Sequence, residues 1–114
     1  MKQPDLMKFK GTKTYHTLNP VHPFVCTDGV QYMAEKYAAL WIIDRIGELY
    51  NEKRKIFKRA FTAWHILSCN KVITLTCSDG DDKVLWDEEG SGELKTGEYL
   101  LFLHNKVLML ANEY

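Results

Sequence analysis

The chain has 114 residues, of which 46% are apolar and 26% charged. That is enough to bury a core without disulfides or metal, and the composition excludes a disordered polyelectrolyte. The formal net charge is zero, but residues 1–59 hold 11 Lys/Arg against 6 Asp/Glu and residues 60–114 hold 4 against 9. A positive half followed by a negative half points to charged partners and says nothing about fold.

A single α+β domain is expected over residues 1–114. Residues 8–15 contain β-compatible side chains around Gly11 and suit one or two short strands. Asn19-Pro20 and His22-Pro23 then interrupt regular structure, because a residue before proline is steered away from helix. From about Gly29 to Tyr50 the spacing predicts one long helix. Thr27 and Asp28 are both suitable N-caps, and Asp28 with Gln31 fits a capping box. Val30, Met33, Ala34, Tyr37, Ala38, Leu40 and Trp41 share a face at helical spacing. Asn51 to Arg59 follows, rich in Lys and Arg.

The second half alternates with period two. Thr62 to Leu67 and Val72 to Cys77 flank an Asn70-Lys71 turn. Ser78 to Asp82 is a hairpin signal answered by Val84-Leu85-Trp86. Glu88 to Thr96 reads as a polar loop, and Tyr99 to Leu103 with Val107 to Ala111 as a last hairpin. The sum is one long helix packed on an antiparallel sheet of about five strands. Trp41, Ile42, Trp64, Ile66, Ile73, Leu75 and Trp86 are expected to be buried together.

The chain is poor in catalytic signatures. Cys26, Cys69 and Cys77 are odd in number and lack C-x-x-C spacing, which argues against a disulfide framework, zinc or redox chemistry. Cys69 and Cys77 lie in apolar strand-like runs and are expected to be buried. The histidines show no H-x-x-x-H or H-x-H, and Asp79-Gly80-Asp81-Asp82 lacks the remaining ligands of a calcium loop. No Gly-rich phosphate loop or G-x-S-x-G is present. No metal and no cofactor is therefore expected. Asp44 falls on the apolar helix face, where a carboxylate needs a hydrogen-bonding or charged partner. His16 and Asp28 have the chemistry of an acid–base pair, but capping and loop ordering account for both residues.

Two charged runs remain. Lys53, Arg54, Lys55, Lys58 and Arg59 offer phosphate contacts, or complement a helix C-terminus. Asp79, Asp81, Asp82, Asp87, Glu88, Glu89 and Glu93 form either a solvated loop or a surface that imitates a phosphate backbone. Nearby Lys83 and Lys95 are too few to pair them all. No apolar stretch reaches the ~20 residues of a bilayer span, and Met1 to Phe9 lacks a signal-peptide core. A cytoplasmic, non-membrane protein is expected.

Several stretches together resemble a family known only as a domain of unknown function, found in small proteins of bacteria, plasmids and phages. They are Phe9-Lys10-Gly11-Thr12, Tyr15-His16, and Thr27-Asp28-Gly29-Val30-Gln31-Tyr32 running into Ala34-Glu35 and Ala39-Leu40-Trp41-Ile42-Ile43-Asp44. Trp64, Cys77-Ser78-Asp79-Gly80 and Glu113-Tyr114 complete the set. The Lys53–Arg59 cluster stands outside this pattern, and the acidic run after Trp86 is a variable part of it. The resemblance implies an accessory protein of mobile elements and supplies no catalytic residue. It supports a non-enzymatic binding protein that docks its acidic face on a host protein, such as a nucleic-acid-binding effector complex of a defence system like CRISPR, and inhibits it. A nucleic-acid-binding module using the basic run is the alternative. An enzyme built on Asp44, Tyr15 and His16 is the third reading.

Overall fold

The computed structural model describes residues 15–18, 24–53, 61–81 and 83–113. The proposed strands before Tyr15, the two X-Pro breaks, most of the basic run and Asp82 lie outside them. The described chain is α+β: strand β1 (Val25–Cys26), helices α1 (Asp28–Lys36) and α2 (Leu40–Glu52), then strands β2 (Phe61–Cys69), β3 (Val72–Ser78), β4 (Val84–Ser91), β5 (Gly97–His104) and β6 (Val107–Leu110). A short 3-10 turn, Ala111–Glu113, follows.

The six strands form one sheet in the order β1-β6-β5-β2-β3-β4. β1 runs parallel to β6 and the other pairs are antiparallel, so the sheet is mixed. Side chains alternate between its faces. Trp64, Ile66, Ile73, Leu75, Cys77, Tyr99, Leu101 and Leu108 are all buried on one face, together with Val30, Met33, Ile42, Ile43, Ile46 and Leu49 of the helices. Both two-residue hairpin turns are left-handed at each position, Asn70 and Lys71 at φ 52° and 65°, Asn105 and Lys106 at 50° and 64°. This conformation matches the twist of the flanking strands.

The single long helix is corrected to two. Ala38 sits at φ 59°, and the Tyr37 N–H closes α1 on the Met33 carbonyl at 3.0 Å. The buried face of α1 is centred on Val30, Met33 and Ala34, that of α2 on Ile42, Ile43, Ile46 and Leu49. At ~100° per residue those centres differ by about half a turn, so no straight helix can bury both. The break reconciles them and reverses two expectations. Trp41 is 39% exposed, and Asp44 is only half-buried.

Ile42, Trp64, Ile66, Ile73 and Leu75 are buried as expected, while Trp86 is half-buried. Cys77 is buried but Cys69, the last residue of β2, is exposed. Of the expected loop from Glu88 to Thr96, residues 88–91 are instead the rest of β4, paired with β3 through Val72↔Ser91, and residues 92–96 connect it to β5 as a loop. A strand at the sheet edge keeps its ladder on one side, which outweighs the low β-propensity of its acidic residues.

Two tryptophans therefore separate sharply. Trp64 is fully buried and its Nε1–H donates to the Thr62 hydroxyl at 3.0 Å. Trp64→Ala should cost about 3–5 kcal/mol. Trp41→Ala should cost roughly 1 kcal/mol, the scale of one partly exposed contact and hydrogen bond. Urea denaturation of both variants checks the order; equal losses would refute the phase change at Ala38.

Candidate functional site

The residues that offered an acid–base pair are tied into the start of α1. Thr27 is the N-cap, its hydroxyl oxygen accepting from the Val30 N–H at 3.4 Å. The same hydroxyl donates to Glu113 Oε1 at 2.6 Å. Glu113 also accepts from the Leu110 N–H at 3.0 Å and the Gly29 N–H at 3.4 Å. Glycine makes this approach feasible: a Cβ at Gly29 would lie 2.6 Å from Glu113 Oε1. The capping carboxylate thus comes from the far end of the chain.

Asp28, in the first turn of α1, pairs with His16 Nε2 at 2.7 Å. Backbone bonds in both directions between His16 and Cys26, at 2.8 and 2.7 Å, close the β1 edge of the sheet. A carboxylate at a helix N-terminus also complements the helix dipole. Tyr15 is exposed and Asp44 stands half-buried on α2.

The opposite edge is β4, and it carries the acidic run. Asp79 and Asp81 occupy the β3–β4 turn, where the Asp81 N–H donates to Asp79 Oδ1 at 2.9 Å. Asp87 and Glu89 are exposed on the sheet face away from the helices, in register with Thr76 and Thr74. Glu88 points the other way. Arg45 of α2 donates to both its oxygens, Nε to Oε2 and Nη2 to Oε1, each at 2.9 Å. The Trp86 indole N–H adds a third bond at 2.9 Å. The Arg45 bonds first, opposed by partial burial and helped by Trp86, hold the Glu88 carboxyl below its ordinary value. The same pairing raises the Arg45 guanidinium. Glu88 is therefore a brace between α2 and the sheet, made by a residue remote in sequence.

Above this brace lies Trp41. Its Nε1–H donates to the Glu93 carbonyl at 2.9 Å. Its ring covers Gly92, where a Cβ would come within 2.6 Å of Cζ2. Trp41, Arg45, Ile73, Leu75, Glu88 and Gly90 line a cavity of about 40 Å³ that opens on the helix side of β4. The Glu93 side chain is largely exposed, 3.8 Å from Lys71. Sequence reasoning missed Trp41 and Arg45 as parts of this edge, because both readouts depend on the phase of α2.

Of the basic run, Lys53 ends α2 with Nζ 5.6 Å from the Trp86 ring centroid. Arg54, Lys55, Lys58 and Arg59 lie outside the described residues. A wider cleft of about 460 Å³ involves Lys36, Tyr37, Lys71, Glu93 and Lys95. Lys95 rests 4.8 Å from the Tyr37 ring centroid. Among the described residues no group of three or more His, Cys, Asp or Glu is placed to hold a metal ion. Burial pushes the Cys26 thiol up to about 12, so it is inert as a nucleophile at neutral pH. No described helix is long and apolar enough to cross a membrane.

Residues 1–114 match a family of unknown function, DUF6876. The chain belongs to that family. No curated protein and no solved structure matches it. Membership agrees with the resemblance carried by the Thr27–Tyr32 and Ala39–Asp44 stretches and brings no activity with it.

Two predictions follow from the bonded carboxylates. Because Glu88 is more acidic folded than unfolded, its stabilisation is present above its ordinary value of 4.5 and is lost as pH falls through the lower folded value. Glu88→Gln should flatten the acid limb of a stability-versus-pH curve and cost roughly 1 kcal/mol near neutrality, the scale of a partly exposed pair. An unchanged acid limb would count against the brace. Separately, Glu113→Ala should destabilise by about 1–3 kcal/mol, since it strips the Leu110 and Gly29 N–H groups and the Thr27 hydroxyl of their acceptor. Thermal melts of this variant should show the loss; a melt matching the parent would rule the clamp unimportant.

Proposed function

We propose that the protein is a small non-enzymatic binding protein that docks the acidic β4 edge on a cationic surface of another protein. A nucleic-acid-binding host effector, of the kind used in defence, is the partner class such a surface suits, and occupying its groove would inhibit it. The observation that carries this reading is the pair Asp87 and Glu89. Both are exposed on an edge strand, while the acidic residue between them is already committed to Arg45. Exposed carboxylates add little to folding. They gain most against a complementary positive groove, where they set orientation and association rate.

The test is a pull-down from host lysate with nuclease-treated controls, followed by binding measurements on the captured protein. Replacing both Asp87 and Glu89 with Lys should shift the melting temperature by only a few degrees, as surface changes do. It should weaken binding more than tenfold, about 1.4 kcal/mol. Replacing Lys53, Arg54 and Lys55 with Glu should do much less. The reverse order, with affinity for a generic duplex falling steeply as salt rises, would replace this reading by nucleic-acid binding.

A further inference from the structure

The two edges of the sheet differ. The β1 edge is bridged by His16, whereas among the described residues no strand pairs with the outer side of β4. The Gly92 N–H donates to the Lys71 carbonyl at 3.2 Å, one step beyond the Val72↔Ser91 pair. Antiparallel bonding alternates along a ladder. Residues 86, 88 and 90 therefore turn their backbone groups towards β3. Residues 87, 89 and 91 turn theirs outward, ready to receive another strand.

The side chains beside that row are specific in character. On one sheet face stand the carboxylates of Asp87 and Glu89. On the other lie the 39% exposed Trp41 and the cavity of about 40 Å³ beside Gly90. Glu88 asks for no further cation there, being held by Arg45 and Trp86. We propose that β4 is extended by a segment of the partner protein, added as a further strand, in which basic side chains alternate with small apolar ones. This rests on the docking reading above and names its mode.

The alternation follows from cross-strand geometry, since a residue directly opposite Asp87 or Glu89 presents its side chain on the same face about 5 Å away. Lys or Arg fits there. The intervening residues face Trp41 and Gly90, where only a small apolar group finds room. Main-chain bonds then supply affinity and the alternate pockets supply specificity. A second copy is the wrong occupant, because it brings Asp87 and Glu89 to the same face as like charges.

The probe is the peptide Lys-Val-Lys-Val-Lys-Val-Lys, compared with Lys-Lys-Lys-Lys-Val-Val-Val of identical composition, each titrated into the full chain and followed by amide hydrogen exchange. The alternating peptide should bind at least tenfold more tightly and slow exchange at Asp87 and Glu89. Glu89→Pro removes one outward N–H while leaving the β3 ladder intact, and should weaken that binding at least tenfold. Equal binding of the two peptides, no binding of either, or full binding to a folded Glu89→Pro would overturn strand addition. So would self-association through β4. Should Glu89→Pro fail to fold, the two-peptide comparison on the parent chain decides. Loss of the lysate partner on charge reversal, with strand addition refuted, would leave docking by charge alone standing.

Discussion

Ala38 holds φ at 59° between α1 and α2, a region where a Cβ crowds the backbone at a cost of roughly 1–2 kcal/mol. What offsets this is burial on both sides. Met33 and Val30 before it, and Ala39, Ile42, Ile43 and Ile46 after it, are almost wholly removed from solvent. At ~25 cal/mol per Å² of apolar surface, each of the Val, Met and Ile side chains contributes on the order of 1.5–3 kcal/mol. The rotation of α2 about this residue fixes what the β4 edge becomes. It lifts Trp41 out of the core onto Gly92, and it aims Arg45 at Glu88.

The two charged halves of the sequence meet in that arrangement. Arg45, from the positive half, neutralises Glu88, from the negative half. Lys53 lies near Trp86 on the same strand. What this pairing leaves on the β4 strand is a short row, Asp87 and Glu89, on the face the helices do not cover. At the other edge the start of α1 is bound to the 3-10 turn through Thr27, Gly29 and Glu113. The fold thus closes one edge with side-chain and backbone bonds and leaves the other charged and open among the described residues.

Much of this was legible in the residues. Period-two alternation marked the β2–β3 and β5–β6 hairpins, and Thr27 marked a helix start. The break at Ala38 was not marked by Gly or Pro, and alanine is the best helix former. Its trace was the half-turn slip between Met33-Ala34 and Ile42-Ile43, visible only when the two apolar faces are compared. Trp41 and Asp44 were misplaced for that reason alone. β4 was cut short because edge strands tolerate acidic residues that local propensity disfavours. Glu88–Arg45 and Thr27–Glu113 are separated by 43 and 86 residues. Contacts so remote leave no local pattern.

Urea denaturation of Ala38→Gly tests the break most directly, because Ala38 is exposed and glycine alters only the backbone there. At a left-handed position glycine relieves the crowding, so stability should hold or rise by up to about 1 kcal/mol. In an uninterrupted helix the same change costs about 1 kcal/mol, and a loss of that size would contradict the half-turn rotation on which the β4 edge depends.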